Sequence, residues 1–178
     1  MTKNSEEIKI VFTGTVGAGK TTAISAISDI QTVRTEAKAT DETAKMKETT
    51  TVGMDYGEVA IDDELVLRIY GTPGQRRFSH MWDILAKGAL GFVILIDNSR
   101  TLPLSDLSVY LDNFKPYIEK SGAVIGINKY VEGEGLEIDD YYQYLADRGE
   151  MYPVMTTDIR QREDVLMLLD SLFTTLEV

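Results

Sequence analysis

Apolar residues recur along the chain in two rhythms. Short β-rich runs, Ile8 to Phe12, Val52 to Ile61, Leu65 to Tyr70, Phe92 to Ile96, Val124 to Ile127 and Pro153 to Met155, read as six strands. Between them the period is helical. Leu107, Tyr110, Leu111, Phe114 and Ile118 share one helix face, and so do Val165, Leu168, Leu169, Leu172 and Leu176. Stripes of this width on a surface helix pack on a sheet. Alternating strands and helices predict an α/β domain with a mostly parallel sheet and helices on both faces. The polar link Asp62 to Glu64 joins the second and third strands. It suits an antiparallel hairpin, so one of the six strands runs against the others. The stretch Thr32 to Thr50, TVRTEAKATDETAKMKETT, shows no apolar stripe. It reads as a long connection of the functional or mobile kind.

Composition narrows the picture. The 178 residues fit one domain, 1–178, and 43% hydrophobic with 26% charged residues is ordinary for a soluble globular chain. A formal charge of −11 without a basic run argues against nucleic acid or an anionic lipid surface as partner, because the summed field repels both. There are no cysteines, which removes disulfides, thiolate metal sites, prenylation and palmitoylation. The N-terminus has neither a signal-peptide core nor a glycine after the methionine, and runs such as Gly91 to Ile96 are too short to span a bilayer. The expectation is a cytoplasmic protein with no direct membrane anchor.

The first chemical signal is GTVGAGKTT, which follows the first apolar run. Gly14, Gly19, Lys20 and Thr21 have the spacing of a P-loop, in which glycines let backbone N–H groups turn inward around phosphate oxygens. A helix starting near Lys20 adds the positive end of its dipole, Lys20 adds a full charge, and Thr21 offers a hydroxyl to Mg²⁺. The fold expected from this placement is the three-layer P-loop NTPase sandwich. A P-loop by itself does not separate kinases, ATPases and GTPases.

Three further segments follow in order. YGTPGQRRF, Tyr70 to Phe78, resembles the switch II segment of Ras-like small GTPases. TTVGMDYGEV, from Thr50, looks like the switch I threonine and its strand. VIGINK, Val124 to Lys129, is similar to a guanine-recognition motif. The resemblance covers nearly the whole chain. It is nearest to the bacterial Ras-like group that includes gliding-motility GTPases, because of the TPGQ form of switch II. It implies a switch protein that binds GTP with Mg²⁺, hydrolyses it slowly to GDP and thereby controls a protein partner, a roadblock-type regulator being one candidate. It implies that Gly14, Thr15, Val16, Gly17, Ala18, Gly19, Lys20, Thr21 and Thr22 cradle the phosphates. Thr21 and Thr51 would hold Mg²⁺. Gly74 would contact the γ-phosphate through its N–H, Gln75 would orient the attacking water, and Asn128 and Lys129 would contact the base.

The chain departs from this pattern at several places. Gly71 stands where the family has an aspartate supporting Mg²⁺ through a water; Asp97 is a candidate to compensate, against its plainer reading as a polar strand end. Val131 stands where an aspartate accepts two hydrogen bonds from guanine, which valine cannot do; Glu132 is adjacent but needs a shifted loop. Val16 replaces a glycine, and either crowds Gln75 away from the water or points outward from a differently shaped loop. Arg76, Arg77 and Arg34 read as solvent or partner contacts before built-in arginine fingers. His80 and Trp82 read as packing or partner-facing residues. Two functions are therefore carried forward: a slow GTPase switch, and a catalytically weak nucleotide-gated scaffold accepting either purine. A small-molecule phosphotransferase fits poorly, since Tyr130 to Asp140 is acidic where a basic lid is needed.

Overall fold

The computed structural model describes residues 6–38 and 51–176. In chain order the elements are β1 (Glu6–Gly14), α1 (Lys20–Ile27), β2 (Val33–Lys38), β3 (Thr51–Ala60), β4 (Leu65–Gly71), α2 (Ser79–Ala86), β5 (Gly91–Asp97), α3 (Pro103–Ile118), β6 (Ala123–Asn128), α4 (Ile138–Asp147), β7 (Val154–Thr156) and α5 (Arg162–Leu176). They form one sheet in the order β2-β3-β4-β1-β5-β6-β7. Every pairing from β4 to β7 is parallel, and β3 is antiparallel to both neighbours. This is the α/β sandwich expected of a P-loop NTPase.

Burial explains the arrangement. All residues of β5 and β6 are buried, as their unbroken apolar runs require when helices cover both faces. Successive residues of β1 point to opposite sides. Ile10 and Phe12 join Ile24, Leu67, Leu95, Leu168 and Leu172 under α1 and α5. Val11 joins Trp82, Ile94, Phe114 and Leu145 under α2, α3 and α4. Both helical stripes read from the sequence face this core. The hairpin between β3 and β4 closes on Asp62, whose carboxylate accepts from the N–H groups of Glu64 (2.7 Å) and Leu65 (2.8 Å). No helix among the described residues is long and apolar enough to cross a membrane.

The sheet has seven strands, not the expected six. Val33 to Lys38, inside the stretch taken for a connection, pairs with β3 from Val33↔Tyr56 to Lys38↔Thr51. As an edge strand it is held by a main-chain ladder on one side, which leaves no apolar alternation to read, and charges at Arg34, Glu36 and Lys38 are usual on an edge. The rest of that stretch, 39–50, lies outside the described residues.

Because the strands from β4 to β7 are parallel, their carboxyl ends share one rim. The loops after β1, β4, β5, β6 and β7 all open there, where open α/β sheets bind ligands.

Candidate functional site

The phosphate loop connects β1 to α1. Gly14 and Gly19, at its two ends, turn in space that a side chain cannot share. A Cβ at Gly14 (φ +148°) would lie 2.3 Å from the Leu95 carbonyl oxygen, and one at Gly19 (φ +104°) 2.6 Å from Ile159 Cδ1. Gly19 precedes the first turn of α1, so the unpaired N–H groups of that turn face the rim. Lys20 folds back over the loop, its Nζ donating to the carbonyls of Gly14 (2.5 Å) and Thr15 (2.8 Å). Burial of the ammonium pushes its pKa down from 10.5 to about 8, against a partial upward pull from Asp55.

Asp55, inside TTVGMDYGEV, is a site residue to which the resemblance assigns no role. Thr21 Oγ1 donates to Asp55 Oδ2 at 2.7 Å, and Asp55 is 6% exposed. Its ladder partner on β4 is Gly71. A Cβ at Gly71 would stand 3.2 Å from Asp55 Cβ and 3.3 Å from its Oδ2. The carboxylate thus occupies, from the neighbouring strand, the space beside Thr21 that an acid at position 71 would use. A sequence signal existed: Asp55 falls in step with the inward Gly57 and Val59 of β3, where an apolar residue is the norm. A hydroxyl beside a carboxylate is a hard-oxygen pair that fits Mg²⁺ completed by phosphate oxygens and waters. Among the described residues no group of three or more His, Asp or Glu side chains gathers as a ready-made metal cage.

Asp97, the compensating candidate, is committed elsewhere. It accepts from Lys129 Nζ at 2.8 Å and from the Ser99 hydroxyl and N–H. Burial raises its pKa, but the bonds from Lys129 and Ser99 outweigh that and hold the carboxyl below its usual range. The acid beside Thr21 is Asp55.

The segment after β4 is tied to the loop. The hydroxyls of Thr72 and Thr13 are 2.7 Å apart, and Trp82 Nε1 donates to the Pro73 carbonyl at 2.8 Å from a buried stack with Tyr110 and Phe114. Gly74 follows directly and lies on the loop: a Cβ there would come within 2.6 Å of Val16 N and 3.0 Å of Lys20 Nζ. Gln75 is exposed, and its Oε1 accepts from Arg77 Nε at 2.7 Å, so it is not directed at the loop. Arg77 itself lies over the Phe78 ring, and Arg76 is exposed. Val16 is 60% exposed, the outward of its two readings, although its backbone touches Gly74. Arg34 lies across Gly53 on the edge of the sheet, away from the loop's interior. Thr51 opens β3, but its side chain lies outside the described residues.

At the other end of the rim Asn128 Nδ2 donates to the Ala18 carbonyl at 3.2 Å, which ties β6 to the phosphate loop. Lys129 adopts a left-handed conformation (φ 54°). A cleft of about 700 Å³ runs between them, lined by Gly17, Gly19, Thr22, Asn128, Lys129 and Thr157, a size that suits a nucleotide-sized ligand. Val131 turns away into a tight bridge with Glu134 and is half exposed. Glu137 fastens that turn by accepting from Gly133 N at 2.9 Å and from the Tyr130 hydroxyl. Glu132 is exposed on the turn and does not line the cleft.

Comparison with known proteins agrees with a nucleotide site. The sequence model of a family described as a conserved hypothetical ATP binding protein matches residues 12–114. That span contains the phosphate loop, Asp55 and the segment Gly71 to Gln75, and stops before Asn128. An uncharacterized protein of Methanocaldococcus jannaschii is 30% identical over 101 residues, 57% of this chain. The match spans 58% of that relative's own length.

Proposed function

The chain belongs to that conserved ATP-binding family, and from this premise we propose that it is a Ras-like nucleotide switch that binds GTP with Mg²⁺ and hydrolyses it slowly to GDP. The observation that carries the reading is the position of Gly74 against Val16 N and Lys20 Nζ. A γ-phosphate entering the loop would meet the Pro73–Gly74 segment, so the segment would take one arrangement with the phosphate and another without it. That is the two-state element a switch requires.

The residues would share the work as follows. Lys20 leaves the carbonyls of Gly14 and Thr15 for phosphate oxygens, and the loop N–H groups close round them. The hydroxyls of Thr21 and Thr51 and the carboxylate of Asp55 would hold Mg²⁺ and its waters, Asp55 standing in for the missing acid at Gly71. When bound, the cation supplies charge neutralisation on the phosphate oxygens. Gly74 N–H would face the γ-phosphate, and Gln75 would orient the water whose oxygen bonds to phosphorus as the bridging oxygen leaves. Gln75 would first have to give up Arg77, which would keep turnover slow without a partner. A protein regulator of the roadblock type, implied by the resemblance, would bind the exposed segment and aim it.

The second reading, a weak-hydrolysing scaffold that accepts either purine, is favoured by one observation: Val131 faces away from the cleft. Mass analysis of nucleotide released from freshly purified, denatured protein tests base use, with GDP or GTP expected on the first reading. Multiple-turnover phosphate release tests catalysis. Protein that frees no phosphate from GTP or ATP, even with cell lysate added, is a scaffold and not an enzyme.

A further inference from the structure

Another cavity lies beside the segment that follows β4. Its volume is about 270 Å³ against about 700 Å³ for the cleft, too small for a nucleotide and ample for one phosphate-sized ion. Val16 of the phosphate loop forms one wall, Gly74 and Arg76 a second, and Arg100, Asp106 and Tyr110, from the end of β5 and from α3, a third. Gly74 faces two ways. It lines this cavity, and a Cβ on it would lie 3.0 Å from Lys20 Nζ and 2.6 Å from Val16 N. Lys20 does not line the cavity, so the contact of Gly74 with Val16 is the partition between the cavity and the γ-phosphate end of the loop.

The walls carry a surplus of positive charge in a chain whose formal charge is −11. Arg100 donates to Asp106 through Nε (2.6 Å) and Nη2 (3.4 Å), so those two charges cancel. Arg76 pairs with no carboxylate among the described residues. Its neighbours are committed elsewhere: Gln75 accepts from Arg77, and Arg77 lies over the Phe78 ring. Tyr110 is 1% exposed, and burial, with Asp106 second, pushes its hydroxyl above the usual 10. The charges of Arg100 and Arg76 pull the other way, which sets both guanidinium groups near that hydroxyl. It stays protonated and can donate, as can the hydroxyl of Ser105 on the same wall. An unpaired guanidinium beside neutral donors is suited to a phosphate oxyanion.

We propose that this cavity is a phosphate site with Arg76 as its charged ligand, and that it receives the γ-phosphate after cleavage. The proposal rests on the reading of the chain as a nucleotide-hydrolysing switch and adds the place where the product is held. In that reaction the water oxygen bonds to the γ-phosphorus, and the bond to the bridging oxygen breaks with its electron pair left on GDP. One water proton stays on the phosphate and the other passes to solvent. The hydrogen phosphate ion enters the cavity when Gly74 moves off Val16. Phosphate from solution has the same chemistry and is the other source of an occupant.

Titration of the full chain, loaded with GDP and Mg²⁺, with inorganic phosphate tests the site by ³¹P line broadening. The parent binds phosphate saturably. Arg76→Ala weakens it by about tenfold, Arg76→Lys by no more than about threefold, and Arg77→Ala, which removes the same charge one residue on, by no more than about twofold. GDP affinity stays within about twofold of the parent in all three. No saturable binding by the parent, an unchanged affinity in Arg76→Ala, or an equal loss in Arg77→Ala overturns the site. Single-turnover cleavage of GTP separates the sources. Release that lags behind cleavage in the parent and loses the lag in Arg76→Ala assigns the site to the product; release in step with cleavage overturns the product route and leaves a site for phosphate from solution. A chain that binds no GDP or GTP, or that cleaves none, refutes the switch reading and the product route with it. The phosphate titration, repeated without nucleotide on Lys20→Met and Lys20→Met/Arg76→Ala, then decides the cavity by the same tenfold difference.

Discussion

Restoring an aspartate at Gly71, as the Ras-like pattern has it, is expected to damage this protein. Gly71 is buried and pairs with Asp55 across the β3–β4 ladder. A Cβ at this position reaches Ile24 Cδ1 at 3.0 Å, the end of a flexible side chain that yields at small cost, but it also stands 3.3 Å from Asp55 Oδ2. The Gly71→Asp carboxylate then lies about 4 Å from that of Asp55, and at an effective dielectric of about 20 the repulsion is roughly 4 kcal/mol. The pair relieves it by sharing a proton, which raises the pKa of the added acid by about three units. Its folded pKa is then above its unfolded value. The folded chain holds more protons between about pH 4 and 7, so stability falls as pH rises through that window. At pH 8 without Mg²⁺ the variant should lose about 2–4 kcal/mol, or about 5–15 °C in melting temperature, and should recover most of it at pH 5. Thermal melts at both pH values provide the assay, with the double variant Asp55→Ala/Gly71→Asp completing the cycle by returning to near parental stability. A Gly71→Asp melting temperature within about 2 °C of the parent at pH 8, or a loss of equal size at pH 5, refutes the charge argument.

Asp55→Asn keeps the shape beside Thr21 but not the charge, so the Mg²⁺ concentration giving half-maximal nucleotide binding should rise about 10–100-fold; an unchanged Mg²⁺ titration would remove Asp55 from the metal site. Lys20 gives a pH signature, since its folded pKa is about 8 against 10.5. The unfolded chain carries one more proton between those values, so ligand-free stability should rise with pH across the window, by up to roughly 3 kcal/mol. Phosphate recharges the amine, so nucleotide affinity should weaken above pH 8 by about tenfold per unit, a slope that Lys20→Met must abolish in both measurements. Trp82→Phe leaves the Pro73 carbonyl without the indole N–H that it accepts at 2.8 Å, and should cost about 1–3 kcal/mol in urea unfolding; a neutral result would mean that the segment before Gly74 is not anchored there.

Much of this protein is legible in one dimension. The strands and the two striped helices follow from periods of 2 and 3.6, because burial of one face is a local property of each element. GTVGAGKTT is equally local: five residues of loop between a strand and a helix must turn sharply, and glycine at 14 and 19 is what the close approach of Leu95 and Ile159 allows. The edge strand β2 was not legible, because a main-chain ladder with β3 imposes no period on the sequence. Nor were the partnerships across the rim. Asp55 lies 34 positions from Thr21 and becomes its neighbour only because β3 folds back on β4. Asp97 is drawn to Lys129 by a register that sets the ends of β5 and β6 side by side. Thr157 looks like any loop threonine until the fold buries its hydroxyl with no partner among the described residues. The glycine-rich loop was determined by the chain's local sequence, whereas the acid beside Thr21 and the partner of Lys129 were decided by strand order, which brings distant residues within reach of one another.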